Sequence, residues 1–240
     1  MGNNRISIDP FSVARALGTV AFLLVIASIA GQMAKHLSDQ PDLYNFVWFF
    51  YLDYENNLPS VYSFLLLLAT GLLLAVIALL ERVNSGSIKW QWILLSLGFF
   101  FMAADEVLSF HERLNLPVRR LLGTEHYGVF YYAWVIPAIF ITLIAAALLS
   151  KFVTRLPAKT RFHVIISAIL FLGGAIGLEL VGGRYAELHG DDNLTYSMIV
   201  ALEESLEMAG VITLIWALLS YMGNRYKEVL IHIATERNSH

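Results

Sequence analysis

Cysteine is absent from the 240 residues, and with it go disulfide frameworks, thiolate metal sites, iron–sulfur clusters and thiol nucleophiles. Charge is scarce as well: charged residues make up 15% of the chain, against about 25% in a typical soluble domain. No basic excess exists to attract nucleic acid, since 16 Lys+Arg face 19 Asp+Glu for a formal net charge of −3. The patterns His-Glu-x-x-His, Gly-x-Ser-x-Gly and the P-loop do not occur. What is plentiful is apolar: 58% of the residues, with a mean hydropathy of +0.64. Too little polar surface remains to coat a soluble globule, and disorder and collagen are excluded on the same ground. The chain reads as an all-α polytopic membrane protein, and its length suits a single domain spanning 1–240.

A helix needs about 20 mostly apolar residues to cross a hydrocarbon core of about 30 Å. Charge-free runs of 19, 25, 15, 25, 17 and 17 residues follow Arg15, Glu55, Lys89, Glu125, Arg161 and Glu207. These predict six transmembrane helices, near 13–34, 58–80, 90–112, 128–150, 163–184 and 196–222, with Pro137 kinking the fourth. A cleaved signal peptide is the alternative for the first, but its apolar run is long and no convincing Ala-x-Ala site follows. Basic residues set the orientation. With the N-terminus inside, Arg5, Arg15, Arg82, Lys89, Lys151, Arg155, Lys159, Arg161, Arg225, Lys227 and Arg237 share one side. Lys35, Arg113, Arg119, Arg120 and Arg184 hold the other, and this eleven-to-five bias puts both termini in the cytoplasm.

The acids are distributed in the opposite sense. Only Asp9, Glu81, Glu228 and Glu236 fall inside, leaving 15 of 19 at the outer end. Acids contribute little to orientation, so this crowding points to a use for carboxylates there. At 1.5 Å per residue, Asp105, Glu106, Glu179 and Glu207 all lie roughly 22–24 Å from the inner boundary, with Glu203 one turn further out. Carboxylates at that depth should face one another or a wet cavity rather than lipid. Together they need a cation, a proton or an Arg to be tolerated.

His111, Glu112, Glu187 and His189 continue the same walls outward. Carboxylates with imidazole suit zinc, manganese or iron, whereas carboxylates alone suit calcium or magnesium. The expected ligands of a divalent metal are Glu106, Glu179, Glu203, Glu207, His111 and His189, with Asp105 or His111 as general base if the site is catalytic. Two other readings stand beside this one. The acids would form a proton or cation pathway, or Arg113, Arg119, Arg120 and Arg184 would neutralise them as a structural network.

The stretch from Ala104 to Glu112 resembles an Asp-Glu-x-x-Ser-x-His-Glu motif, and Glu203 to Gly210 a Glu-Glu-x-x-Glu-Met-x-Gly motif, of a group of uncharacterised bacterial multipass membrane proteins. Leu52 to Ser60 is similar to a third signature of that group. The resemblance implies a bacterial inner-membrane setting and brings no activity with it. Di-iron carboxylate bundles fit poorly because Glu-x-x-His is absent. Prenyl endopeptidases and ceramidase-like hydrolases resemble Glu203-Glu204 and the set Asp105, Ser109 and His111, yet their later His motifs are missing.

Two further features bear on the site. Tyr44, Phe46, Trp48, Phe49, Phe50, Tyr51 and Tyr54 form either an interfacial aromatic belt or a lid over the acids. Gly173, Gly174 and Gly177 permit close helix packing beside Glu179. Membrane lipid is the expected partner, with a lipid-borne or small-molecule ligand at the outer face.

Overall fold

A computed structural model describes residues 9–37, 44–86, 89–123 and 126–226. Arg5, Glu125, Lys227, Glu228, Glu236 and Arg237 lie outside these described residues. The helices are α1 Pro10–Leu37, α2 Tyr44–Phe50, α3 Leu58–Ser85, α4 Trp90–Leu108 and α5 Phe110–Leu122, then α6 Val135–Thr154, α7 Ala158–Leu172, α8 Glu179–His189 and α9 Leu194–Tyr226. A single π-helical turn, Gly173–Leu178, joins α7 to α8. Among the described residues, five helical stretches are long and apolar enough to cross a membrane: residues 10–37, 58–84, 90–108, 135–154 and 158–189. The chain is therefore a multipass, all-helical membrane protein. The 33-residue α9 is the most enclosed element and packs against α1, α3 and α7. Helix α4 lies along α3, and α6 touches the rest chiefly through α7 and the π-turn.

Helix ends follow local chemistry. Asp9 opens α1 by accepting the backbone N–H of Ser12 at 2.9 Å. Asn57 and Ser60 form a reciprocal capping box at α3, and Gly86 closes that helix with φ 68°, a left-handed value that glycine adopts without strain.

Three expected boundaries change. The helix expected over 90–112 stops at Leu108 because Ser109 turns left-handed, with φ 51°, and α5 starts afresh as an amphipathic helix. The helix expected over 128–150 begins only at Val135, so Pro137 lies in the first turn, where a missing N–H breaks no intrahelical bond, and it causes no mid-helix kink. The span expected over 163–184 is longer and contains the π-turn, which adds a residue to the repeat directly before Glu179.

Helix α7 meets α9 at two glycines. A Cβ on Gly174 would stand 2.7 Å from the carbonyl oxygen of Glu203 and 2.8 Å from Cγ of Glu207. A Cβ on Gly210 would stand 2.7 Å from the backbone nitrogen of Phe171. Ser167 seals the contact by donating to the Gly210 carbonyl at 2.7 Å. The Gly-x-x-x-Gly pair itself is not at the interface, because Gly173 faces open space and Gly177 meets only its own helix.

At the opposite end, Glu81 is not the loop-edge residue that its position in the sequence suggests. It is fully buried and bonded to Lys89 at 2.5 Å, Tyr226 at 2.9 Å, Tyr221 at 3.0 Å and Arg225 at 3.3 Å. This single carboxylate ties the end of α3 to the start of α4 and the end of α9. Breaking a buried ion pair from one side leaves an uncompensated charge and costs about 3–5 kcal/mol.

Thermal unfolding in a mild neutral detergent tests both locks. Glu81→Ala should lose about 3 kcal/mol or more. Gly174→Ala and Gly210→Ala should each lose about 1–3 kcal/mol, since backbone cannot yield to the added methyl. Gly98→Ala, which faces open space in α4, should be neutral or stabilising by up to about 1 kcal/mol.

Candidate functional site

The close approach of α7 and α9 brings the outer acids together. Glu179 opens α8 directly after the π-turn, and its carboxyl group interacts with that of Glu203 on α9. Glu203 is 8% exposed. The Trp134 indole N–H donates to Glu179 Oε1 at 2.7 Å. Glu106 on α4 and Glu204 and Glu207 on α9 act electrostatically on one another and on Glu179, so all three face the same region. Five carboxylates from three chain segments thus act electrostatically on one another. Glu204 belongs with them, although its neighbours Glu203 and Glu207 share a different helix face.

The arginines do not neutralise this group. Among the described residues, Arg184 pairs with Glu187 at 2.7 Å. Arg119 donates to the carbonyl of Tyr131 and lies 4.7 and 4.6 Å over the Tyr127 and Tyr131 rings. Lys35 pairs with Asp192 at 2.6 Å. No described ion pair joins Arg113 or Arg120 to Glu106, Glu179, Glu203, Glu204 or Glu207. Glu187 is a structural clamp: its carboxylate accepts the backbone N–H groups of Tyr127 at 2.7 Å and Gly128 at 3.1 Å. His189 sits exposed at the end of α8, stacked on Tyr185 at 4.6 Å, and does not join the group of Glu55, His111 and Glu112.

Above the five acids the chain builds a second layer. The left-handed Ser109 lets α5 turn, and Asp105 bridges the break by accepting the His111 backbone N–H at 2.9 Å and contacting His111 Nδ1 at 2.8 Å. A carboxylate on Nδ1 fixes the tautomer and leaves the Nε2 lone pair for a ligand. The His111 ring also lies 5.0 Å from the ring of Trp134. Asn115 Oδ1 accepts the Trp134 backbone N–H at 3.1 Å and anchors α5 over the entry to α6. Ligand atoms of Glu55, His111 and Glu112 all lie within 4.8 Å of one another. Glu55 enters from the loop ahead of α3, whose shape is held by Asn57 Nδ2 donating to the Tyr51 carbonyl at 2.6 Å.

Glu55, Glu112, Glu204 and Trp134 were not among the expected site residues. The Leu52–Ser60 motif carried the only signal for Glu55, while nothing in the local sequence marks Trp134. Trp48 and Phe49, like Tyr44 and Phe46 of α2, are exposed, as an aromatic belt requires. Tyr51 is buried instead, with its hydroxyl 3.3 Å from Ser197 Oγ.

Electrostatics in this upper layer follow from crowding. Asp53 is open to solvent on one side and hemmed in by protein on the other. That burial, then the charges of Glu179, Asp191 and Glu112, pushes its carboxyl up to about 7. Burial and then Glu112 also raise Glu55. For His111, burial pulls the imidazole down, but the hydrogen bond and charge of Asp105, followed by Glu112 and Glu179, outweigh it and hold the group above its usual 6.5.

A raised histidine contributes stability that is present at acid pH and lost as pH rises through the folded-state value. In chelator-treated protein, Asp105→Asn should lower the His111 titration midpoint, because burial then acts with less opposition. The variant should also weaken the stabilisation gained on acidification. Histidine-selective nitrogen NMR in micelles reads the first effect and thermal unfolding against pH the second. An unchanged midpoint in Asp105→Asn would contradict the assigned pairing.

No curated protein and no solved structure matches the chain. A family model described as a domain of unknown function (DUF8692) matches residues 16–222, which takes in every helix from α2 to α8 and most of α1 and α9. The chain therefore belongs to the DUF8692 family.

Proposed function

We propose that the outer end of the bundle is a divalent-metal centre, with Glu55, His111 and Glu112 as its primary ligands. The observation that carries this reading is the convergence of those three ligand atoms within 4.8 Å on a loop and a helix end that are both held by side-chain hydrogen bonds. Two carboxylates and an imidazole favour zinc, manganese or iron over calcium or magnesium. Asp105 plays the outer partner that orients the ligating histidine. Glu106, Glu179, Glu203, Glu204 and Glu207 form an acidic cup beneath, able to complete the coordination or to hold the proton of a metal-bound water. His189 has no part in this centre.

Transport is the weaker reading. Between Glu207 and Arg225 the sequence of α9 carries no charge, and Glu81 at the far end is sealed by Lys89 and Arg225. A cup open at one end suits binding or metal-assisted chemistry on a lipid-borne or small-molecule ligand. With α9 counted as a sixth span, the eleven-to-five distribution of basic residues supports cytoplasmic termini, and the motif resemblance supports a bacterial inner membrane.

Elemental analysis of protein purified in mild detergent without chelator should find about one transition-metal ion per chain. His111→Ala and the double variant Glu55→Gln/Glu112→Gln should lose it, whereas Glu187→Gln should keep it. Chelation should lower the unfolding temperature near neutral pH. Mild acid should then partly restore it, because Asp53 and Glu55, with raised values, take up protons more readily in the folded state. Wild-type protein that holds no stoichiometric metal and takes up no added zinc, manganese or iron would sink the proposal.

A further inference from the structure

At the basic end of the bundle, far from the acids, lies a cavity of about 330 Å³. Lys89, Gln91 and Trp92 line it from the start of α4, Arg155 and Pro157 from the turn between α6 and α7, and Arg225 from the end of α9. Four helix ends meet there. Helices α4 and α7 begin without a side-chain cap, while α6 and α9 finish, so the helix dipoles largely offset one another and the side chains decide the sign. Three cations line the cavity, and Glu81 is bonded to two of them, Lys89 and Arg225, and holds them in place. Arg155 is exposed and makes no described ion pair.

A second observation is independent of charge. Trp92 is 1% exposed, and its indole N–H is buried without a hydrogen-bond partner. A buried donor without an acceptor is costly and marks a place where an acceptor belongs. The depth of the cavity indicates where such an acceptor comes from. Three spanning stretches have their boundaries at it: 90–108 begins, 135–154 ends and 158–189 begins. Side chains at that level meet lipid headgroups, and Trp90 beside it is 49% exposed, as interfacial tryptophans are.

We propose that this cavity binds the phosphate of an anionic phospholipid headgroup, with Arg155, Lys89 and Arg225 supplying charge and Trp92 a neutral donor. Cationic pockets between helix ends on the positively charged side of a membrane protein are suited to such headgroups. The cavity volume falls at the lower end of the range for small-ligand sites.

The test uses the full chain in neutral detergent, with native mass spectrometry and thermal unfolding as readouts. Phosphatidylglycerol should be retained and should raise the unfolding temperature, whereas phosphatidylcholine should do neither. Arg155→Gln should weaken phosphatidylglycerol binding about fivefold, the effect of one basic charge near a membrane surface. Trp92→Phe keeps an aromatic ring, removes the donor and should also weaken binding. Arg82→Gln, at the same end but outside the cavity, should bind as wild type does. Equal retention of the two lipids, or equal effects of Arg155→Gln and Arg82→Gln, would overturn the proposal. Stabilisation by inorganic phosphate without any by phosphatidylglycerol would overturn the lipid assignment and make the site one for a soluble phosphate.

Discussion

Gly174 and Gly210 let the backbones of α7 and α9 approach until no methyl group fits between them. That contact determines where the outer carboxylates go. With α7 pressed onto α9, the π-turn that contains Gly174 brings Glu179 to Glu203, and the two carboxyl groups interact with each other. Glu204, Glu207 and Glu106 are then drawn into one region of low polarity. An apolar bundle accepts such a group only if protons, donors or a cation offset the charge. Trp134 supplies a donor, and the described ion pairs of the arginines lie elsewhere.

The two ends of the bundle solve the problem of buried charge differently. Glu81 is enclosed by two cations and two phenols, so its charge is matched within the protein. Its role is mechanical: it locks three helix ends together. The outer acids outnumber their protein partners, and the upper layer of Asp53, Glu55 and Glu112 adds further negative charge. An excess of that kind is unfavourable in an empty fold and favourable once a cation is bound. This asymmetry makes the outer end a better candidate for a ligand site than the Glu81 network.

The upper layer depends on a break in a helix. Had α4 continued through Ser109, His111 would have stood about 9 Å further along the same rod from Asp105. The left-handed Ser109 redirects the chain, Asp105 spans the gap, and His111 is turned toward Glu55 from another part of the sequence. The motif of Asp105, Glu106, Ser109, His111 and Glu112 therefore encodes a corner with an oriented imidazole rather than a helical face.

Composition and charge-free run length alone determined the membrane class, the positions of the long helices and the crowding of acids at one end, because crossing an apolar layer imposes a local requirement on every span. The depths of Glu106, Glu179, Glu203 and Glu207 could be counted for the same reason, because position along a helix follows from the number of residues. Tertiary structure decided everything that depends on rotation or on a partner distant in sequence. The helix break at Ser109 and the π-turn before Glu179 change rotation without changing apolar content, so hydropathy is blind to them. The choice of Gly174 over Gly173 and Gly177 depends on which side of α7 meets α9. Glu55 and Trp134 join the site through contacts spanning tens of residues. Glu81 shows the same limit at the other end, since only the folded bundle brings Lys89, Tyr221 and Arg225 around a carboxylate that in sequence sits beside a polar loop.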